Sequence, residues 1–358
     1  MNMDISAFLQ SAVQKKASDI FFSVGSPVRF RIEGEVHTVG KASLSAQNTQ
    51  EIARYLMTEA QATHFKKNLE IDFSVAFSQP FAARFRVNVF KQQGVVSLVL
   101  RYIKVEIPDF DTLHLPAILK QLIMRRRGLL IMVGATGAGK STTLAALIDH
   151  RNQTETGHIL TIEDPIEYVY QHKKSLINQR ELGLDTLSYA NALRGCLRES
   201  PDVIFIGEIR DIDTMDATLK LATTGHLVVS TLHANNSYQA IQRILSLYPQ
   251  MRHQELLLEL SLNLVAIASQ RLVMSITQQR IAAVEVMINT PSIADLILKG
   301  ELYKIHKAMS ESGREGMQTF DISLAKLYKQ KLVTLEEVLN SADSSSNLEA
   351  LLRFNLKK

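Results

Sequence analysis

The chain of 358 residues has no tryptophan, a single cysteine and only 6% aromatic residues. One cysteine, Cys196, excludes an internal disulfide and any multi-cysteine metal site, and suits a reducing compartment. No apolar run approaches the roughly 20 residues needed to span a bilayer. Even LLLELSLNLVAIAS (256–269) is interrupted by Glu259 and Asn263. MNMDISAFLQSAVQKKASD carries an acid at position 4 among interleaved polar residues, which predicts an amphipathic helix rather than a signal peptide. No membrane insertion is therefore expected. Charge discriminates little, with a net +4 and a pI near 9. The one run of three like charges, Arg125 to Arg127, reads as a helix C-terminus, where cations suit the dipole. A nucleic-acid translocase would need basic, aromatic-bearing pore loops. No basic cluster here is interleaved with aromatics, so no nucleic-acid partner is expected.

A hydrophobic content of 46% and a charged content of 21% describe an ordinary globular protein. The length is too great for one ordinary core and predicts two domains. In the first hundred residues the spacing predicts a helix over about 4–16 and short strands in DIFFSV, PVRFRI and GEVHTV. A helical stretch over 45–67 follows, then alternating strands in IDFSVAF, AARFRVNVF and GVVSLVLRYI. The tract from Val105 to Pro116, with Pro108 and Pro116, reads as a linker. It divides the chain into a domain of residues 1–105, a linker at 106–116 and a domain of 117–358. Beyond it, strands and helices alternate. GLLIMVG, HILTIED, VIFIGE and LVVST are strands, and the spans 141–150, 186–198 and 212–223 are helices. That alternation predicts a mostly parallel sheet covered by helices. From about 236 the pattern turns helical, with a hairpin near SITQQRIAAVEVMI and a loop at SADSSSN (341–347).

GATGAGKS, from Gly134 to Ser141, matches the phosphate-binding pattern G-x-x-x-x-G-K-[ST] between an apolar strand and a helix. Gly134, Ala135, Thr136, Gly137, Ala138 and Gly139 would wrap phosphates with backbone N–H groups. Lys140 would reach the β- and γ-phosphates of ATP, and Ser141 would offer a hydroxyl to Mg²⁺, with Thr142 beside it on the helix. Two apolar strands end in acids: Glu163 and Asp164 close HILTIED, and Glu208 closes VIFIGE. Ligands of open α/β sheets sit beyond the carboxyl ends of the strands, so these acids would face the phosphates.

TTGHLVVSTLHANN (223–236) brackets a short apolar strand with two histidines. His226 and His233 are seven residues apart, an odd step that puts them on opposite faces of a strand and roughly 20 Å apart. They cannot share one metal ion. His233 falls at the carboxyl end, on the same edge as Gly134, Glu163 and Glu208.

The motifs ASDIFF, GSPVRFRIEGEV, ARFRVNVF, GATGAGKSTTLAALI, TIEDPIEY, NQRELGLDTLSYANALRGCLRESPDVIFIGEIRD, TTGHLVVSTLHANN and GMQTFD occur in this order over nearly the whole chain. In this the sequence resembles the type IV pilus retraction ATPases, PilT and PilU, of the secretion-ATPase superfamily. The resemblance implies an α/β fold: a RecA-like P-loop ATPase domain preceded by a smaller PAS-like α+β domain, assembled as a homo-hexameric ring. It implies that Glu163 activates water, that Glu208 serves the Mg²⁺ and water network, and that His233 senses the γ-phosphate. It places Arg86 and Arg101 at the nucleotide. Arg194 and Arg198, at i and i+4, are weaker candidates, either intersubunit or solvated. His226 stays open between a relay and a packing residue.

Assembly ATPases of the superfamily usually carry a tetracysteine zinc module, which one cysteine excludes. INTPSIADLILKGELYKI (288–305) stands where PilT-like chains carry an AIRN-type segment. With QHKKSLINQRELGLDT, TLHANNSYQAIQRI and NSADSSSNLEALLRF, it is more similar to the PilU branch. Phe21 or Phe22 stands where the family commonly has a histidine, with no mechanism attached. The implied function is a Mg²⁺-dependent ATPase motor for pilus retraction and twitching motility, accessory to a PilT-like paralogue. It would act on an inner-membrane pilus platform protein, at the cytoplasmic face of the inner membrane. The alternative is a nucleotide-binding subunit that assists a PilT ring with little hydrolysis of its own.

Overall fold

Strict alternation shapes the first of two units in the computed structural model, which describes residues 5–77, 83–103, 106–312 and 316–355. This unit comprises residues 1–106 together with 167–169. Its elements are α1 (Ile5–Gln14), β1 (Asp19–Phe22), β2 (Arg29–Ile32), β3 (Glu35–Thr38), α2 (Ala46–Leu56), α3 (Glu59–Asn68), β4 (Glu70–Phe77), β5 (Ala83–Gln92) and β6 (Val95–Ile103). The strands form one antiparallel sheet in the order β3-β2-β1-β6-β5-β4. Along β5, Ala83, Phe85, Val87 and Val89 are buried while Arg84, Arg86 and Asn88 are not, as a pleat covered on one face requires. Phe22, Phe30 and Phe85 fill the core with Leu98 and Leu100. Each such side chain contributes about 1.5–3 kcal/mol by leaving water.

The helical stretch over 45–67 is two helices rather than one. Thr58 leaves the helical conformation and caps the second, with Gln61 N–H donating to its hydroxyl and the Gln61 side chain accepting from Thr58 N–H at 2.8 Å. Ser45 and Asn48 form the same reciprocal box at the start of the first.

The second unit comprises residues 107–166 and 170–358. It runs α4 (Ile118–Ile123), β7 (Gly128–Val133), α5 (Lys140–Thr154), β8 (Gly157–Glu163), β9 (Ser175–Glu181), α6 (Tyr189–Cys196), β10 (Val203–Ile206), α7 (Ile212–Thr223), β11 (Leu227–Leu232), α8 (Ser237–Leu247) and α9 (His253–Asn263). It continues with β12 (Leu264–Met274), β13 (Arg280–Ile288), α10 (Pro291–Leu298), α11 (Ile305–Ser312), α12 (Phe320–Lys329), α13 (Leu335–Ser341) and α14 (Ser345–Asn355). The sheet order is β13-β12-β7-β11-β10-β8-β9, parallel throughout except for the β12–β13 hairpin. The whole of β7 and β11 is buried, as strands covered on both faces must be.

Several local expectations change. The segment 175–181, not expected as a strand, adds an edge strand beside β8. The helix expected over 186–198 starts at Tyr189, because the Ser188 hydroxyl accepts from Asn191 N–H at 3.1 Å, and ends at Cys196. The apolar run 256–269 is helical only to Asn263. From Leu264 it pairs between β7 and β13, so tertiary pairing overrides the helical pattern. Within the linker tract Phe110–Leu113 forms a short 3-10 turn, and residues 104 and 105 fall outside the described ones. Arg125 to Arg127 lie just past α4, and α14 already begins at Ser345 inside the expected loop.

The last helices pack on the hairpin through Val273, Ala283, Phe320, Leu324, Val338 and Leu348. Arg271 of β12 holds them from its polar side. Its guanidinium stands 3.9 Å over the Phe320 ring, pairs with Asp343 at 2.7 Å and donates to the Ser341 carbonyl at 3.2 Å.

Candidate active site

Because β7, β11, β10 and β8 are parallel neighbours, their carboxyl ends share one edge. The phosphate-binding loop leaves β7 there. Gly134 and Gly139 adopt φ of 151° and 85°, and the loop lies hard against β12. A Cβ on Gly134 would stand 2.6 Å from the Gln270 carbonyl oxygen, and one on Gly139 would stand 2.7 Å from Gln270 Nε2. Glycine is thus required for the close approach as well as for the backbone angle. Buried Gln270 donates Nε2–H to the Ala138 carbonyl at 2.7 Å and accepts from the Thr143 hydroxyl at 2.8 Å. It clamps the loop to the first turns of α5. Lys140 opens α5, and its ammonium donates to the carbonyls of Gly134 (2.7 Å) and Ala135 (3.0 Å). Ser141 and Thr142 follow on the first turn, both half-buried.

Glu163 ends β8 and is buried; its Oε1 accepts from the Thr161 hydroxyl at 2.7 Å and from Gln179 Nε2 at 3.3 Å. Gly207 lets the end of β10 pass close by, since a Cβ there would meet the Tyr189 hydroxyl at 3.1 Å and Glu163 Cα at 3.3 Å. Glu208 comes next. Its Oε1 lies 3.2 Å from His233 Nε2, and its Oε2 accepts from Arg210 Nε at 2.9 Å. Arg210 also reaches Asp164 at 3.6 Å, so one guanidinium links the ends of β8 and β10. The hydrogen bond to Glu208 raises the Arg210 pKa further, while burial, aided by the charge of Asp164, raises that of the Tyr189 phenol. Strand ends therefore assemble three of the residues expected from sequence: Glu163, Glu208 and His233.

Two clefts open on the loop. One of about 620 Å³ runs from Gly134 past Gln270 to Met274, Arg280 and Glu337. Another, of about 320 Å³, has Gly134 and Ala135 on one wall and His233, Asn235 and Arg243 on the other. His226, at the opposite end of β11, has its Nδ1 3.1 Å from the Leu221 carbonyl near the end of α7, where it acts as a cap. Arg86 and Arg101 belong to the first unit and face each other across β5 and β6. Arg86 grips Asp72 with Nε and Nη2, and Arg101 Nε donates to Asp19 at 3.0 Å. Arg194 is exposed and hydrogen-bonded to Asn191 within its own helix, and Arg198 is exposed.

The candidate metal donors are oxygens: the Ser141 hydroxyl on the first turn of α5 and the Glu208 carboxylate beyond the end of β10. Among the described residues no group of three or more His, Cys, Asp and Glu could hold a metal ion by itself. That set fits Mg²⁺, which takes one or two protein oxygens and completes its shell with phosphates and water. Gln270, Arg210, Thr161 and Tyr189 were not singled out from the sequence. A glutamine inside the apolar LVAIASQRLVM was the legible signal for the first.

A family model described as type II/IV secretion system protein matches residues 1–339. The chain is 46% identical over 352 residues to the type IV pilus ATPase PilU of Pseudomonas aeruginosa, covering 98% of this chain and 92% of that protein. It is 39% identical to the type IV pilus retraction ATPase PilT of the same organism, covering 96% of this chain and 100% of that protein. The crystal structure of the pilus retraction motor PilT with bound ADP superposes with a TM-score of 0.90 at 41% identity, covering 98% of this chain and 100% of that one.

Proposed function

The chain belongs to the type II/IV secretion system protein family, and from that membership we propose that it is an ATP-hydrolysing motor for type IV pilus retraction, of the PilU-like kind. One observation carries the reading: the phosphate loop, Glu163, Glu208 and His233 all stand on one edge of a parallel sheet. Phosphoryl transfer is mostly positioning and charge neutralisation, and this edge supplies both.

Loop amides and the N-terminus of α5 take the phosphates. Lys140 exchanges the Gly134 and Ala135 carbonyls for phosphate oxygens. Ser141 and Glu208 would hold Mg²⁺, which would offset the negative charge of the phosphates. Glu163 accepts the proton of the attacking water, its carboxylate steered by Thr161 and Gln179. His233 reports the state of Glu208, and Arg86 and Arg101 add positive charge as phosphate leaves.

The domain assignment, with 106–116 as linker, the homo-hexameric ring, the PilT-like paralogue and the inner-membrane platform protein as partners, and a place at the cytoplasmic face of that membrane belong to the same proposal. Among the described residues no helix is long and apolar enough to cross a membrane. Mg²⁺-dependent turnover of the purified protein tests the reading. Glu163→Gln is expected to cut kcat by about 10² to 10⁴ while nucleotide still binds. Equal turnover of both proteins refutes the base assignment. A second reading, a nucleotide-binding subunit with little hydrolysis that assists a PilT ring, is the outcome if neither protein turns over ATP at all.

A further inference from the structure

Glu285, in the middle of β13, is 1% exposed. A carboxylate is among the costliest side chains to bury unless donors surround it. Here a single oxygen, Oε1, accepts from Ser237 N–H at 2.8 Å, the Ser237 hydroxyl at 2.6 Å and the Ser269 hydroxyl at 3.1 Å. The donors come from two other elements. Ser237 opens α8 directly behind its cap Asn236, so the segment it anchors is the one that begins at His233. Ser269 sits opposite Glu285 in the β12–β13 register and is the neighbour of Gln270, which grips the phosphate loop.

We infer that Glu285 is a positioning residue for the nucleotide site: it fixes the His233 segment against the strand that carries the Gln270 clamp. The inference rests on the ATPase reading above. Glu285 touches neither nucleotide nor the reacting atoms. It sets where α8 starts, and hence where the backbone from His233 to Asn236 runs, relative to β12. A nucleotide that seats on the clamped loop then meets His233 at a fixed offset. Without the anchor the loop would still bind phosphates, because Gln270 keeps its own bonds to Ala138 and Thr143. Correct seating would no longer be registered at Glu208.

The test uses the full purified chain and ADP as probe, with amide exchange and steady-state ATP hydrolysis as readouts. In Glu285→Ala, the amides of 233–237 should exchange at least about tenfold faster with ADP bound, as loss of a buried hydrogen-bond anchor implies. The loop peptide 134–142 should stay protected as in the unaltered chain. Turnover should fall about tenfold in kcat with KM within about threefold, the split expected of a group that acts only after binding. Glu285→Gln, which keeps an acceptor oxygen, should recover most of both. If Glu285→Ala does not fold, Ser237→Ala and Ser269→Ala each remove one hydroxyl bond and should move exchange at 233–237 in the same direction. Unchanged exchange there in the folded variants, or loop protection lost in parallel, overturns the inference. A chain that binds ADP but never turns over ATP sinks the ATPase reading instead, and the exchange comparison still decides the role of Glu285.

Discussion

His233 Nε2 stands 3.2 Å from Glu208 Oε1, so the residue that follows β11 and the acid that follows β10 form one unit. The pair is half in solvent on the histidine side, with His233 49% and Glu208 18% exposed. An exposed pair of this kind adds little to stability, which points to function as its use. His233→Ala should leave the melting temperature and ADP affinity almost unchanged while kcat falls about 10²-fold. Titration calorimetry with ADP beside a phosphate-release assay checks this. A matching loss in ADP affinity would assign His233 to ground-state binding instead.

Arg86 and Arg101 are directly opposite on one face of the first unit's sheet, Arg86 paired with Asp72 and Arg101 with Asp19, which Arg31 shares. Like charges directly opposite are unfavourable, so Asp72 and Asp19 balance the arrangement. If the arginines act on the phosphoryl group, Arg86→Ala and Arg101→Ala should each cost about 10³ or more in kcat. Asp72→Asn, which removes the negative charge beside Arg86 and keeps an acceptor oxygen, should change kcat far less and lower the melting temperature slightly. Circular dichroism melts and initial rates distinguish the two patterns, and equal rates for the arginine variants would return both residues to the surface.

Gln270 makes two buried hydrogen bonds with one amide. Gln270→Leu keeps the volume and leaves the Ala138 carbonyl and the Thr143 hydroxyl unsatisfied, at about 1–3 kcal/mol for each. The melting temperature should drop, and ADP should bind at least about tenfold more weakly because the loop loses its clamp. Thr143→Val removes one bond only and should show a smaller effect on both measures.

How much of this was legible in the sequence depended on how local the cause was. Gly134 to Ser141 declares its geometry in contiguous residues, and Glu163 and Glu208 announce themselves by ending apolar runs. Thr58 with Gln61 is a helix start written in nearby residues, yet the 45–67 pattern read as one helical stretch. Long-range causes were not. Residues 264–274 read as a continuation of a helix, because only pairing with β7 and β13 makes them a strand. Gln270 owes its role to a loop more than a hundred residues earlier in the chain, and Arg210 joins its near neighbour Glu208 to Asp164, which meets it only in the fold. The histidine pair was resolved by counting alone, yet the capping bond of His226 needed coordinates.

Burial pushes the Glu285 carboxyl above its ordinary value of 4.5, opposed in part by its bonds to Ser237 and Ser269. A folded pKa above the unfolded one means that the folded state holds the proton to higher pH. The stabilisation is fully present below the unfolded pKa and is lost as pH rises through the folded one. Glu285→Gln removes this dependence. Its unfolding free energy relative to the unaltered chain should therefore climb with pH across that window and then level off. Asp321, whose carboxyl burial also raises, contributes equally to both proteins and cancels in the difference. Urea unfolding at a series of pH values measures this, and parallel curves would refute the charge assignment.

Ser269, Gln270 and Arg271 are consecutive on β12, and their side chains alternate between faces. The middle one faces the phosphate loop, and its neighbours serve Glu285 and the C-terminal helices. Such a strand has a sharply uneven tolerance to change in length. Deleting or inserting one residue before Ser269 would swap the faces, pointing Arg271 at the loop and Gln270 away from it. The turn at 275–279 lies past all three, so the same change there leaves them in place. Natural length variation among related chains should accumulate at that turn and be absent from Leu264 to Arg271.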